Sequence, residues 1–292
     1  MAEVVSLAHP DRLPPGRDLL LPGRGRTYVR HLHRPGARMT VVLLHGWGAT
    51  ADLNWGTTYA AIGDEFDVVS IDHRGHGRGI RDTQRFTLED CADDVAAAID
   101  ELGVGASIIV GYSMGGPIAQ LVWRRHPEAV AGLVLCATSD VFCDTTRERA
   151  LFAAAGGFAS VARSQPSRQV IQRVADMVAR RRILAAAAGG RVASHDWAQV
   201  LEAGRAIGRF DSRSWLPDVD VPTAMVTTRR DVVVPTWRQR AMASTLPLVA
   251  NAVVDGGHCV CLDPQSGFVG AVVETCRAVE AASTDTELRL AS

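Results

Sequence analysis

Short continuous apolar runs, each leaving through a turn into a helix-like pattern, constrain this chain more than any other feature. Thr40–Leu44 is the clearest: Val41-Val42-Leu43-Leu44 leaves no polar face, then His45-Gly46-Trp47-Gly48 breaks the run. A strand without polar alternation is buried on both faces, as in the middle of a parallel sheet. Asp67–Ile71, Ser107–Val110, Gly132–Ala137, Thr223–Thr228 and Asn251–Val254 read as further strands, and Asp18–Leu21 with Thr27–His33 as a hairpin about Gly23 and Gly25.

Helices fill the intervals at Thr57–Glu65, Thr87–Leu102, Pro117–Arg125, Thr236–Leu246 and Pro264–Val279. In Thr87–Leu102, Leu88, Cys91, Val95, Ile99 and Leu102 recur at spacings of three and four and make one apolar face. Thr87 with Asp90 resembles a capping box, and Gly103 stops the helix. Strands alternating with helices imply an α/β fold: a mostly parallel central sheet with helices on both faces.

Between Val141 and Trp215 the alternation fails. No strand is legible there, only Ala- and Arg-rich helical stretches broken at Gly156-Gly157 and Gly189-Gly190. The expected organisation is an N-terminal extension (1–17), a core made of 18–140 and 216–282, an inserted helical cap (141–215), and a disordered tail (283–292).

The net charge of −1 gives no pull toward nucleic acid, so none is expected as a partner. Every basic residue is Arg, and the insertion holds 12 Arg against six acidic residues, densest at Arg180-Arg181-Arg182. The six cysteines are scattered and read as free thiols; Cys259-Val260-Cys261 has the wrong spacing for a CxxC site. No apolar run approaches the ~20 residues of a membrane span. Met1–Leu21 lacks the basic start and apolar stretch of a secretory signal, so a cytoplasmic location is expected. The oligomeric state is not legible.

Gly111-Tyr112-Ser113-Met114-Gly115 follows a strand and precedes a helix, the context that gives a G-x-S-x-G motif meaning. So tight a turn leaves no room for side chains two residues either side of the Ser. It holds Ser113 at a helix N-terminus, where the N–H groups and the dipole favour developing negative charge. A Ser hydroxyl is a poor nucleophile without a base. His258, in Asp255-Gly256-Gly257-His258 after the last strand, fits that role. The imidazole needs a carboxylate to fix its tautomer. Asp231 stands just past Thr223–Thr228; Asp140, after Gly132–Ala137, is a rival, and Asp255 is close enough to His258 to cap the turn instead. An oxyanion needs two N–H donors, expected from the backbone of Met114 and of Trp47.

In this order the motifs resemble those of the α/β-hydrolase superfamily over roughly residues 18–280: His45-Gly46-Trp47-Gly48, Asp72-His73-Arg74-Gly75-His76-Gly77, Gly111–Gly116, Asp231 with Pro235, and Gly257-His258. The resemblance implies a capped, esterase- or lipase-like serine hydrolase that needs no cofactor and acts on a small-molecule acyl substrate. It also implies a structural role for Asp72–Gly77, so His73 and His76 are not assigned to catalysis. His45, at a strand end, reads as structural too. Ser113 stands where haloalkane dehalogenases and epoxide hydrolases of the superfamily carry Asp. Ester, thioester, lactone or amide hydrolysis, carbon–carbon hydrolysis, acyl transfer and perhydrolysis all stay open, as does a low-turnover receptor or pseudoenzyme.

Overall fold

The computed structural model describes residues 13–146, 148 and 195–290. Most of the expected cap, Arg180-Arg181-Arg182 included, lies outside the described residues.

Eight strands form one sheet: β1 (Gly16–Leu21), β2 (Gly25–Leu32), β3 (Thr40–Leu44), β4 (Asp67–Ile71), β5 (Ser107–Tyr112), β6 (Val130–Cys136), β7 (Thr223–Thr228) and β8 (Leu248–Val254), in the order β1-β2-β4-β3-β5-β6-β7-β8. β1 and β2 are the antiparallel hairpin, and every pairing from β4 to β8 is parallel. The strand period of two splits each central strand between two cores. Val42, Leu44, Val69, Ile71, Ile109, Leu133, Leu135 and Met225 face α3 (Leu88–Leu102) and α4 (Gly115–Arg125). Val41, Leu43, Val68, Ile108, Val110, Val134 and Val226 face α1 (Ala51–Trp55), α2 (Tyr59–Gly63) and the last helix. Burial on both faces is what removed polar alternation from these runs. β8, at the edge, alternates and is half exposed.

α3 forms where its periodicity placed it. Thr87 Oγ1 accepts the Asp90 N–H at 3.0 Å, and Gly103 closes the helix at φ 63°. The helix expected over Thr57–Glu65 is the shorter α2, and an unexpected short helix, α1, precedes it across Gly56-Thr57-Thr58; Thr57 turns its hydroxyl to the Cys261 carbonyl at 2.8 Å. Of the insertion, α5 (Trp197–Ile207) is described, with Asp196 as its N-cap. α6 spans Thr236–Ala243.

Two boundaries are corrected. β1 begins at Gly16, inside the expected N-terminal extension. The last helix, α7, runs Phe268–Leu290, through most of the tail expected to be disordered. Residues 280–290 contain neither Gly nor Pro to stop it. Ser283 also ties it to the sheet, its hydroxyl reaching the Ala131 carbonyl at 2.8 Å. Among the described residues, no helix is long and apolar enough to cross a membrane.

Candidate active site

β5 leaves the sheet at Tyr112, and α4 begins at Gly115, so Ser113 and Met114 make the whole turn. Ser113 is held at φ 53°, a left-handed conformation that a non-glycine residue keeps only when its surroundings impose it. They do so here by crowding. A Cβ on Gly111 would lie 2.2 Å from the Gly115 carbonyl oxygen, and one on Gly115 would lie 2.3 Å from that of Leu44. Backbone bonds then brace the residue: its N–H donates to Cys136 O at 3.0 Å, and its carbonyl accepts from Thr138 Oγ1 at 2.8 Å.

His258 lies on the loop after β8. Its Nε2 is 2.9 Å from Ser113 Oγ, and its Nδ1 is 2.7 Å from Asp231 Oδ2. The structure thus brings together Ser113, His258 and Asp231 from three separate strand ends. Asp231 is buried, with Oδ1 accepting the N–H groups of Val233 and Val234, each at 2.9 Å, and Oδ2 accepting from Thr228 Oγ1 at 2.9 Å and Gln239 Nε2 at 3.3 Å. Burial alone pushes its pKa up. The hydrogen bond and charge of His258, with the Val234 and Thr228 donors, outweigh burial and hold it below the ordinary carboxylate value.

The rival acids stand elsewhere. Asp140 bonds with the neighbouring Ser139 at 3.1 Å, and burial raises its pKa. Asp255 does not cap the turn; its carboxylate pairs with Arg230 at 3.2 Å on the surface.

The two expected N–H donors flank the nucleophile. Met114 directly follows Ser113, and the loop carrying Trp47 passes so near that a Cβ on Gly46 would meet Ser113 Cβ at 3.3 Å. Asn54 Oδ1 fixes this loop by accepting the Gly46 N–H at 2.9 Å. Among the described residues, neither the Met114 nor the Trp47 backbone N–H has a protein acceptor. The Trp47 side chain has a task of its own. Its indole N–H donates to Val200 O at 2.6 Å and its ring lies over Gly204, bridging the core to α5.

His45 and the Asp72–Gly77 turn are structural. His45 is fully buried; its Nε2 accepts the His73 N–H at 3.0 Å and its Nδ1 lies 2.8 Å from Gly46 O, which makes it a neutral imidazole protonated at Nδ1. Asp72 accepts the N–H groups of Ala51 and Arg78, each at 2.9 Å, and Arg74 makes a buried two-pronged bond to Asp94 at 2.7 and 2.8 Å. Reading the sequence did not single out Thr228 or Gln239; Tyr112, which its place beside Ser113 marks as a candidate substrate contact, donates its hydroxyl to the His258 carbonyl. Thr228 ends a strand next to the acid's turn, a hint of its role; nothing in the sequence marks Gln239.

The pimeloyl-(acyl-carrier protein) methyl ester esterase of Sodalis glossinidius is 39% identical over 103 residues, which cover 35% of this chain and 38% of the esterase. The putative carbamate hydrolase RutD of Azorhizobium caulinodans is 29% identical over 230 residues, covering 76% of this chain and 84% of that protein. A thermophilic esterase from Thermogutta terrifontis, solved with malate bound, superposes with a TM-score of 0.71 at 23% identity, covering 91% of this chain and 99% of the esterase. The family model described as alpha/beta hydrolase fold matches residues 39–265, so the chain belongs to the α/β-hydrolase fold family and is an α/β-fold hydrolase.

Proposed function

We propose that this hydrolase cleaves a carboxylic ester, or a close acyl relative, through a Ser113–His258–Asp231 triad and an acyl-enzyme. The observation that carries the reading is the continuous pair of bonds from Ser113 Oγ to His258 Nε2 and from His258 Nδ1 to Asp231 Oδ2. With Nδ1–H held by the carboxylate, Nε2 is the free base that faces the hydroxyl. Ser113 Oγ attacks the substrate carbonyl carbon while His258 takes its proton. The tetrahedral oxyanion is held by the Met114 and Trp47 N–H groups. Collapse expels the leaving alcohol, which takes the proton from His258, and leaves Ser113 acylated. Water, deprotonated by His258, then releases the acid and restores Ser113. Asp231 stays ionised throughout and stabilises the imidazolium, in keeping with its lowered pKa.

The substrate class rests on relatives named for a methyl ester and a carbamate, both of which present a carbonyl carbon to a nucleophile. The insertion leaves the chain after β6 and rejoins it before β7, and the Trp47–Val200 bond ties α5 to the loop beside Ser113. A fluorophosphonate probe should label the wild type and leave Ser113→Ala unlabelled, and a p-nitrophenyl ester panel ordered by chain length should be turned over only by the former. Equal labelling of both proteins would end the proposal.

A further inference from the structure

The parallel strands run toward Ser113, so their N-terminal ends lie at the opposite edge of the sheet, and a second cluster of chemistry-bearing side chains stands there. His31 and His33 are two residues apart at the end of β2, so the pleat sends both rings to one side. β2 is antiparallel to β4 with Leu32 opposite Val68, and one further step sets Asp67 against His33. Asp67 Oδ2 lies 3.2 Å from His31 Nε2, and Asp67 Oδ1 lies 3.2 Å from His33 Nδ1. One donor atom from each residue fits within a span of 4.8 Å.

We propose that His31, His33 and Asp67 form a binding site for one divalent transition-metal ion of the zinc class, which ties the chain after β2 to the start of β4. The spacing is the first argument. Charge-assisted bonds between nitrogen and carboxylate run at about 2.7–2.9 Å, and this protein keeps to that range at His258–Asp231 (2.7 Å) and His126–Asp93 (2.8 Å). The two contacts of Asp67 are both longer. They fall on different carboxylate oxygens, one facing each imidazole, which leaves the carboxylate open between the two rings to an ion with bonds of about 2.0–2.1 Å.

The donor set is the second argument. Two imidazoles and one carboxylate suit zinc, copper or nickel, whereas calcium and magnesium take oxygen ligands. The surroundings fit as well. The Arg34 N–H donates to Asp67 Oδ1 at 2.8 Å, the kind of outer hydrogen bond that orients a ligating carboxylate. The Arg34 guanidinium turns away to the Gly63 carbonyl, at 3.4 Å, and does not occupy the carboxylate. His33 is 74% exposed as a side chain, so the ion reaches the site from solvent and water can complete its coordination.

The test titrates the untagged full chain with Zn2+, and with Co2+ as a spectroscopic probe. One equivalent should bind with micromolar affinity and raise Tm. The Co2+ complex should show visible d–d bands without thiolate charge transfer, which excludes Cys259. His33→Ala, at an exposed position that leaves the fold intact, should weaken binding at least ~10-fold and abolish the Tm rise; Asp67→Asn should do the same. Ester turnover should be unchanged at one equivalent. The proposal is overturned if the wild type binds no Zn2+ below ~100 μM, if His33→Ala binds as tightly as the wild type, or if one equivalent stops turnover, which would put the ion on His258.

Discussion

Imidazoles at the same edge of the sheet meet opposite fates. His258 follows β8, and each ring nitrogen has a hydrogen-bond partner: Ser113 Oγ at Nε2 and Asp231 Oδ2 at Nδ1. His45, which follows β3, and His73 and His76, which follow β4, are buried against one another, with ring centroids 4.4 and 5.4 Å from His45. Among the described residues, both ring nitrogens of His73 and Nε2 of His76 have no hydrogen-bond partner. Burial pushes both well below the ordinary histidine value, and the neighbouring imidazoles push the same way. Residue type and strand-end position are therefore not enough to make a base. What separates the two groups is a carboxylate on one ring nitrogen and a serine hydroxyl on the other.

The largest expected effect divides them directly. His258→Ala should lower kcat/KM by about 10⁵-fold while leaving Tm near that of the wild type, because its side chain lies at the rim of the core. His76→Ala should do the reverse. It empties a fully buried site between His45, Phe86 and His195, and should cost about 2–4 kcal/mol of stability with turnover within tenfold of the wild type. Urea denaturation and ester kinetics on both variants check this; a folded His76→Ala with collapsed kcat would erase the distinction.

Next in size is the acid. Asp231→Asn leaves His258 Nδ1 facing an amide and should cost about 10³–10⁴-fold in kcat, whereas Asp140→Asn should stay within about tenfold, since Asp140 bonds to Ser139 and not to His258. Near-normal kcat in the first variant and collapse in the second would transfer the role to Asp140.

These assignments show how far the sequence carries. The parallel strands were legible because two-sided burial removes polar residues, and the elbow because only glycine fits around Ser113. The order Ser113, Asp231, His258 was legible; that the loop after β8 sets His258 Nδ1 against Asp231 and not against Asp140 was not. Other contacts between distant segments were not legible. Trp47 meets Val200 across 153 residues, and Asp67 meets His31 across 36. Position at the chain end also misjudged the C-terminal boundary, where Ser283 on α7 is bound to β6.

The third prediction concerns pH. His45, His73 and His76 have folded pKa values below the ordinary histidine value of about 6.5, so the unfolded chain binds more protons in acid. Stability is fully present above about pH 6.5 and is lost as pH falls toward the depressed folded values, by at most about 1.4 kcal/mol per pH unit for each histidine. Asp231 contributes with the same sign at lower pH, its folded value being held down. Urea midpoints at pH 7.5 and 5.5 should therefore fall, and His73→Asn should remove about a third of the slope. An unchanged slope in that variant would show that the buried cluster does not govern acid stability.

The smallest effect tests how the His258 side of the comparison is supported. Thr228 Oγ1 donates to Asp231 Oδ2 at 2.9 Å and accepts from Gln239 Nε2 at 2.8 Å, so its hydroxyl links the acid to α6. Thr228→Val keeps the shape of the side chain and removes both bonds. Asp231 retains the Val233 and Val234 N–H groups, and Gln239 retains the Val234 carbonyl at 2.8 Å, so the loss is limited. One hydrogen bond to a charged group is worth about 1.5–3 kcal/mol, and the remaining donors absorb part of it, leaving kcat about 3–10-fold lower with KM unchanged. Thr228→Ser restores the hydroxyl without the methyl and should recover most of the rate. If Thr228→Ser is as slow as Thr228→Val, the methyl packing matters and the hydroxyl does not; if neither differs from the wild type, the backbone donors alone hold Asp231 in place.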